Sequence, residues 1–263
     1  MFRALHTAAS GMIAQQYNLD NVANNLANAS TAGFRCRRLQ FEDLLYQDLV
    51  TPGSAATQQT TISSGLQIGL GTRSSTSEVM LTQGDATSTG NPLDLMIRGQ
   101  GFFQVRLPDG QIAYTRSGSF QLDQQGNVIT ADGNALQPTI TIPANAQTIT
   151  VGTDGTVSIT LPSQQQAQQL GVIQLATFPN PGGLQSIGQN LLMPTTASGD
   201  PIVGNPGGSE GLGTIVQGML EQSNVDVVEE FVQMILTQRA YEANSRVVEA
   251  ANQMFENLNN VNR

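Results

Sequence analysis

The chain has 263 residues, enough for one large domain or two to three small ones, and a formal net charge of −9. Charged residues make up only 12% of the chain, about half the ~25% that is usual for globular domains. The negative charge argues against nucleic acid, and against an anionic membrane, as the main partner. All eleven basic residues are arginine, which excludes chemistry that depends on a lysine, such as a Schiff base or a P-loop.

The neutral polar residues that replace the missing charges favour dense self-packing, because their side chains make many hydrogen bonds with little electrostatic repulsion. A low-charge extracellular surface is the alternative interpretation. No apolar run approaches the ~18 residues that a membrane-spanning helix needs. The first residues, from Met1 to His6, lack the apolar stretch of a secretory signal peptide. We therefore expect that any export uses a route that reads no cleaved signal.

A first helix is predicted from about Arg3 to Ala29, before a stop at Gly33. Its apolar residues recur every seven positions, the spacing of a narrow seam that packs against another helix. The predicted seam consists of Leu5, Met12, Leu19, Val22 and Leu26. A second stripe, at steps of three and four, consists of Asn18, Asn21, Asn25 and Asn28. Asparagine is a poor helix former, so we interpret this stripe as lateral polar contacts to neighbouring helices; a solvated face is the alternative.

Residues 34–70 show no helical period. A cluster of three arginines, at positions 35, 37 and 38, is followed by apolar residues at mixed spacing. Thr51-Pro52-Gly53 then opens a polar tract that reaches Gly65. We predict an extended arm that becomes ordered against a partner.

Residues 71–213 combine short β-branched or aromatic runs with turn signals. The turn dipeptides, in which glycine supplies a positive φ, are Asp109-Gly110, Gly126-Asn127, Asp132-Gly133 and Asp154-Gly155. This pattern predicts a central antiparallel all-β domain of seven or more short strands. Residues 194–213, rich in Gly, Pro and Ser, are predicted to be a return segment.

A last helix is predicted from near Ser223 to about Leu258, within a C-terminal segment of residues 214–263. Ser223 and Asp226 resemble a capping box at its start. Its predicted seam residues are Val227, Phe231, Met234, Tyr241, Val248 and Phe255. The predicted fold class is therefore α+β: N- and C-terminal helices (residues 1–33 and 214–263) forming a coiled-coil stem, a central antiparallel all-β domain, and an extended connecting arm.

The sequence offers no candidate catalytic, cofactor-binding or metal-binding residues. His6 is the one histidine, and the aspartates of the turn dipeptides are explained by turn chemistry. Cys36 lies beside two arginines that could lower its pKa, but no acid or base is near it in sequence. Gly99-Gln100-Gly101 lacks the third glycine and the following helix of a dinucleotide loop. We expect a protein that is not an enzyme and that uses no cofactor.

Motifs at both ends resemble the signatures of bacterial flagellar rod and hook proteins. The N-terminal motifs are Ala8-Ala9-Ser10-Gly11-Met12, the run from Leu19 to Asn28, and Thr31-Ala32-Gly33-Phe34. The C-terminal motifs run from Glu221 to Asp226 and from Gln238 to Ser245. Gly99 to Phe103 and Tyr114 to Phe120 resemble the β domain of the family. The resemblance covers essentially the whole chain, and the stretch from Leu44 to Gly69 is most similar to members that form the distal part of the rod.

The resemblance implies a structural subunit that leaves the cytoplasm through the flagellar type III export apparatus, without a cleaved signal. Such subunits assemble helically, under a rod cap, into a hollow drive shaft that transmits motor torque to the hook. The terminal helices would form an inner coiled-coil layer, with the β domain outside. The implied location is the basal body, in the periplasmic space. The implied partners are further copies of the chain, proximal rod proteins, the hook protein or the hook–rod junction, the rod cap, the export apparatus and, in a Gram-negative cell, the peptidoglycan- and outer-membrane-associated rings.

Three other interpretations stay open. The nearest is a proximal rod or hook paralogue of the same family. A secreted β binding module on a coiled-coil stalk would need a signal peptide and exposed aromatic residues, whereas this chain has no Trp and four Tyr. An enzyme fused to a rod segment would need paired carboxylates or a histidine-bearing site, and the sequence shows neither.

Overall fold

The computed structural model describes residues 2–51, 55–57, 60–61, 64–162, 166–208 and 211–261, and the chain folds into two units. Unit 1 comprises Met1–Ala27, Arg37–Met80 and Asp226–Arg263. Unit 2 comprises Asn28–Cys36 and Leu81–Val225. The chain therefore passes from one unit to the other four times.

Unit 1 contains two helices, α1 (Phe2–Ala27) and α2 (Val227–Val261), and a nested set of strands. Its six strands are β1 (Arg37–Asp43), β2 (Tyr46–Val50), β3 (Ala55–Thr57), β4 (Thr60–Thr61), β5 (Leu66–Gly69) and β6 (Thr72–Val79). β1 pairs with β6, β2 with β5 and β3 with β4, all antiparallel. These pairs form one long hairpin, which we call the arm hairpin.

The arm hairpin occupies the residues for which we predict an extended arm. The prediction has no strands in it, because neither face of this segment shows the regular apolar alternation of a half-buried strand. The hairpin also extends beyond residue 70, the predicted end of the arm, because β1 pairs with β6. Pro52 and Gly53, which contributed to the prediction, lie outside the described residues. Ordering of the arm against a partner stays a prediction.

Unit 2 is built from short antiparallel strands around an apolar core. Its strands in the described ranges are β7 (Ala86–Ser88), β8 (Leu95–Arg98), β9 (Phe102–Arg106), β10 (Ile112–Thr115), β11 (Phe120–Leu122), β12 (Val128–Thr130), β13 (Ala135–Gln137), β14 (Thr148–Val151), β15 (Thr156–Thr160), β16 (Gln168–Val172), β17 (Leu175–Thr177), β18 (Gln185–Gly188), β19 (Leu191–Met193), β20 (Ile202–Gly204), β21 (Thr214–Gln217) and β22 (Met219–Glu221). A single 3₁₀ turn at Pro181–Gly183 interrupts them.

The largest sheet of unit 2 has nine strands, with β9 pairing with β10, β13 and β17. Four of the five residues of β9 are buried, and Phe103 contacts Phe120 edge-on at 5.2 Å between ring centroids. β14, β15 and β16 form a second sheet whose Val157 and Ile159 enter the same core. The glycines of the four predicted turn dipeptides all have positive φ, so the turn predictions are confirmed.

Two terminal helices and an antiparallel β centre confirm the α+β class. Two details of the prediction are wrong. The last helix begins at Val227 rather than near Ser223, because the carboxylate of Asp226 caps it by accepting N–H bonds from Val228 (2.8 Å) and Glu229 (3.2 Å). The return segment contains strand β20, which pairs with β17.

Candidate assembly surface

The two helices of unit 1 pack against each other in antiparallel orientation. The Nδ2 group of Asn25 donates to Oε1 of Glu230 at 3.0 Å. One heptad earlier in α1, Nδ2 of Asn18 donates to Oγ1 of Thr237 at 2.9 Å. A further heptad earlier, a Cβ on Gly11 would lie 2.9 Å from Nδ2 of Asn244. Residue numbers fall in α1 as they rise in α2, in steps of seven on both helices.

Along these three heptads the contact between α1 and α2 is therefore made by small and polar side chains, and large apolar rings meet at one end of it, where Phe2 lies 5.4 Å from Phe255. Ala8 and Ala14 on α1 and Ala251 on α2 are also buried. Amide and hydroxyl groups that are paired in this way satisfy each other's hydrogen-bonding capacity. They favour one register of the two helices, whereas helices that pack through apolar side chains alone change register more easily. The contact between the two helices thus leaves many of their large apolar side chains exposed.

The predicted seam residues are distributed over several environments. Val22 is buried. Half-buried positions are Leu5, Met12, Leu19, Leu26, Met234, Val248 and Phe255, while Val227, Phe231 and Tyr241 are exposed. The rings of Phe2 and Phe255 lie 5.4 Å apart. The role of these residues in contacts between subunits stays a prediction.

The asparagine stripe makes contacts inside each unit. Asn21 and Asn25 both donate to the backbone carbonyl of Arg37, at 2.7 and 2.8 Å, and Arg37 N–H donates back to Oδ1 of Asn25 at 3.0 Å. These bonds attach α1 to strand β1 of the arm hairpin. Asn28 lies in unit 2, where its Oδ1 accepts from the hydroxyl of Thr31 at 3.2 Å. Lateral contacts of the stripe to other subunits stay a prediction.

A continuous apolar stripe covers the other face of the first half of α2. Its residues recur at helical spacing on the side opposite Glu230 and Thr237. We call it the outer stripe; its members, with their exposed fractions, are Val228 (72%), Phe231 (49%), Val232 (50%), Ile235 (56%) and Leu236 (57%). Further along α2 charged side chains interrupt this face, beginning with Arg239 and Glu242, which pair at 2.8 Å. A contiguous exposed apolar patch of this kind marks an interaction surface.

α1 and the arm hairpin add further exposed apolar residues. On α1, Ile13 and Tyr17 lie one turn apart and are each about half exposed. On the arm hairpin the exposed apolar residues are Phe41, Leu45, Tyr46, Leu49 and Leu66. These side chains are apolar surface that the described part of unit 1 leaves exposed.

The base of the arm hairpin is fixed to α1 at a glycine. Gly71, between β5 and β6, has φ +119°, and a Cβ there would lie 2.2 Å from Oγ of Ser10. The same hydroxyl accepts the N–H of Thr72 at 3.3 Å. Glycine is required here for close backbone approach, not for ligand binding as in a dinucleotide loop.

One ionisable group lies in the helix contact. Burial raises the pKa of the Glu230 carboxyl, the neighbouring charge of Glu229 raises it further, and the hydrogen bond from Asn25 and the charge of Arg38 oppose the shift. The exposed Arg73–Glu42 pair of the arm hairpin, at 3.0 Å, behaves in the opposite way: hydrogen bonds from Ser75 and Arg73 lower the pKa of Glu42.

The described residues hold no group of three or more His, Cys, Asp and Glu side chains that could bind a metal ion. Asp109 and Asp154 accept backbone N–H bonds from residues two positions ahead, at 2.9 and 3.1 Å, as turn residues do. Within the described ranges, no helix combines the length and the apolar character that a membrane span requires.

Sequence reasoning missed a buried ionic group in unit 2. The Glu221 carboxylate pairs with Arg35 at 2.7 Å and with Arg116 at 2.6 Å, and all three side chains are at most one-tenth exposed. The partners are separated by more than a hundred residues along the chain, so no spacing rule identifies them. The available signal was that each of the three lies within or next to a motif that carries the family resemblance.

Comparison with known proteins finds three family profiles along the chain. The profile described as "Flagella basal body rod protein" matches residues 5–35, "Flagellar hook protein FlgE/F/G D1 domain" matches residues 96–159, and "Flagellar basal body rod FlgEFG protein C-terminal" matches residues 216–261. The first profile covers most of α1, the third covers all of α2, and the second covers much of unit 2.

Several curated proteins are similar over nearly their whole length. The chain is 46% identical to the "Flagellar basal-body rod protein FlgG" of Buchnera aphidicola subsp. Schizaphis graminum, over 98% of this chain and 99% of the relative. It is 46% identical to FlgG of Caulobacter vibrioides, over 97% of each, and 39% identical to FlgG of Bacillus subtilis, over 100% of each. The "Flagellar basal-body rod protein FlgF" of Caulobacter vibrioides is 32% identical, over 95% of this chain and 93% of the relative.

Proposed function

Since this chain belongs to the family of flagellar basal-body rod proteins, we propose that it is a subunit of the distal rod, the tube that assembles helically from its own copies and transmits motor torque to the hook. It is a structural protein of the flagellar basal body. The observation that carries the proposal is the similarity to FlgG proteins over essentially the full length, which stands at 46% in Caulobacter vibrioides against 32% for FlgF of the same organism.

The geometry of unit 1 supports self-assembly. The contact between α1 and α2 uses small and polar residues, so the large apolar side chains of the outer stripe remain available to other copies. Burying apolar surface is favourable by about 25 cal/mol per Å², and five adjacent large side chains supply a substantial area. We propose that the terminal helices of neighbouring copies pack through this stripe and form the coiled-coil inner layer of the tube.

The arm hairpin supports a second contact between copies. Both of its described faces carry exposed apolar residues, and no other part of the described unit 1 covers them. We propose that it becomes ordered between adjacent subunits. Partners other than copies of the chain, namely proximal rod proteins, the hook or hook–rod junction, the rod cap, the surrounding rings and the export apparatus, follow from the family and are part of the proposal.

A proximal rod subunit is the alternative function, because the chain is also 32% identical, over 95% of its length, to FlgF, another basal-body rod protein. The two differ in position along the rod. A cell that carries this chain with an epitope tag in place of its native rod gene, examined by immunogold electron microscopy of isolated basal bodies, should show label on the rod segment next to the hook. Label on the segment next to the inner membrane would favour the alternative.

Ile235→Asp tests the outer stripe as the interface. A carboxylate at this position should be buried against a neighbouring copy, at an effective cost of several kcal/mol, so the variant should be exported but should not form rods. Gln253→Asp is the matched control, since it adds the same charge to the same face of α2, where the residue is polar and exposed. Rods of normal length from the Ile235→Asp variant would contradict the proposed interface.

A further inference from the structure

All four chain crossings between the units begin or end at segments of unit 2 that are hydrogen-bonded to each other. The first two crossings bound residues 28–36, the third precedes Leu81, and the fourth follows Val225. Inside unit 2, therefore, three segments (residues 28–36, 81–85 and 221–225) hold every covalent connection to unit 1. We call these three the crossing segments.

Glu221 joins all three crossing segments. Its backbone carbonyl accepts the N–H of Gly33 at 2.8 Å, which attaches the first segment. Its Oε1 accepts the N–H of Gly84 at 3.0 Å, which attaches the second. The same oxygen pairs with Nη2 of Arg35 at 2.7 Å, and the guanidinium of Arg35 also donates to the carbonyl of Thr82.

Asn224 joins the same three segments a second time. Its Oδ1 accepts the N–H of Cys36 at 2.7 Å. Its Nδ2 donates to the carbonyl and to the hydroxyl of Thr82, both at 3.0 Å. The side-chain oxygen of Asn224 thus bonds to the first crossing segment and its side-chain nitrogen bonds to the second. The residue itself belongs to the third.

Arg116 anchors this group to the core of unit 2. Its Nε donates to Oε2 of Glu221 at 2.6 Å, and its terminal nitrogens donate to the backbone carbonyls of Ile97, Gly99 and Gly101. These carbonyls belong to β8 and to the loop before β9, the central strand of the large sheet. The carboxylate of Glu221 compensates two buried guanidinium groups, so its removal would leave both without a counterion.

We infer that Glu221 and Asn224 form a clamp that makes the crossing segments open and close as one cooperative unit. Each crossing segment is bonded to the other two, and buried hydrogen-bonded networks of this kind are stabilised collectively rather than bond by bond. A force that enters unit 2 through one crossing would then be shared by all of them. This consequence for torque rests on the proposed function, whereas the clamp itself is a property of the single chain.

Hydrogen exchange of the purified full-length chain tests the clamp. The relevant amides are the donors Gly33, Cys36, Gly84 and Gln222, the last of which bonds the carbonyl of Asp85 at 2.8 Å. Asn224→Ala removes the bonds to Cys36 and Thr82. If the segments act as one unit, exchange at Gly33 and Gly84 should also accelerate, by about tenfold or more, while the amides of β9 keep their protection. Acceleration confined to Cys36 would overturn the proposal, and so would an equal acceleration throughout β9.

Glu221→Gln provides the second variant, with Glu42→Gln as its control. Both substitutions remove the charge of a glutamate paired with arginine, but the Arg73–Glu42 pair is more than half exposed on Arg73 and half exposed on Glu42. Glu221→Gln should accelerate exchange in all three crossing segments, and Glu42→Gln should accelerate it in none. Unchanged exchange in Glu221→Gln would overturn the clamp.

The load-sharing role has a separate measurement. Cells whose rods contain Asn224→Ala should assemble rods of normal length but should stop rotating at a lower viscous load than wild-type cells. If these cells rotate normally at high load and the exchange result is as expected above, the clamp is supported and load sharing is overturned. If wild-type rods lack the chain altogether, the proposed function fails, and the exchange result still decides the clamp.

Discussion

At the scale of single residues, Gly33 shows how closely the chain approaches itself in unit 2. Its φ is +72°, and a Cβ there would lie 2.6 Å from the backbone nitrogen of Ser117. Its N–H donates to the carbonyl of Glu221 at 2.8 Å. The position therefore requires glycine for two reasons, namely the left-handed backbone and the lack of space.

Gly33→Ala should lower the free energy of unfolding of unit 2 by about 2–4 kcal/mol, since backbone strain and overpacking add up. Gly110→Ala is the matched control: its φ is +87°, but a Cβ there meets nothing within 4 Å. The control should lose only about 1 kcal/mol. Urea denaturation followed by circular dichroism measures both values. Equal losses in the two variants would show that the contact with Ser117 is not important.

Glu230 gives the helix contact a dependence on pH. Its pKa is raised in the folded chain by burial and by Glu229, so the folded state prefers the protonated form. The contribution of this residue to stability is fully present below the pKa of the unfolded chain and is lost as pH rises through the raised folded pKa. Groups such as Glu42, whose pKa is lowered, contribute in the opposite direction.

The substitution Glu230→Gln should therefore flatten the decrease in helix stability as pH rises above the ordinary pKa of a glutamate, because the amide keeps an oxygen acceptor for Asn25 without titrating. Thermal unfolding followed at 222 nm measures this difference from the wild-type chain. Glu242→Gln, which changes an exposed residue of the same helix paired with Arg239, should leave the dependence unchanged. An identical pH dependence in wild type and Glu230→Gln would refute the assignment.

At the scale of elements, the two helices and most turns were predictable from the sequence, because helical periodicity and Asp-Gly or Gly-Asn pairs are local signals. The choice of side chains in the contact between α1 and α2 was not predictable. A seven-residue apolar period predicts a seam that packs against another helix, either the other terminal helix or a helix of a neighbouring copy, and the structure adds that Gly11, Asn18 and Asn25 lie opposite α2. The apolar seam and the asparagine stripe of α1 both recur every seven residues, so only the packing of α2 shows which of them lies in the contact.

The arm hairpin was not predictable as a pair of strands. Arg37 pairs with Val79, 42 residues later, and bulges interrupt the register between Gln40 and Phe41 and between Asp48 and Val50. Strands that cover no core lack the alternation by which strands are recognised. The ion pairs of Glu221 were not predictable either, because Arg35 and Arg116 lie far from Glu221 in the sequence.

Deleting residues 47–64 tests the arm hairpin as a stiffening element. We hypothesise that it becomes ordered between adjacent subunits and prevents them from sliding, which keeps the tube straight. The deletion removes β3, β4 and all of β2 except Tyr46 but retains both terminal helices, so tubes should still assemble and should be curved in electron micrographs. A deletion of equal length in unit 2 would not serve as a control, since the strands of that unit contribute to its apolar core clusters. Alanine substitution of Leu45 and Leu49 together is preferable and should give intermediate curvature. Straight tubes from the deletion would place the stiffness elsewhere.

At the scale of the whole molecule, the two units differ in where they keep their apolar residues. Unit 1 keeps its apolar residues on the outside of a helix pair and on the arm hairpin, whereas unit 2 buries its apolar residues in a core of its own. A subunit with this division can fold its β part alone and complete the burial of its helices only among copies of itself. Similarity to flagellar rod proteins over the full length agrees with that division of labour.

A cryo-EM map of tubes formed by this chain would show directly which surfaces the copies share. Our expectation is that the outer stripe, from Val228 to Leu236, is covered by a helix of a neighbouring copy, while Asn18–Thr237 and Asn25–Glu230 remain paired within each copy. A map in which the outer stripe faces solvent, or in which α1 and α2 separate and pair with other copies instead, would contradict it.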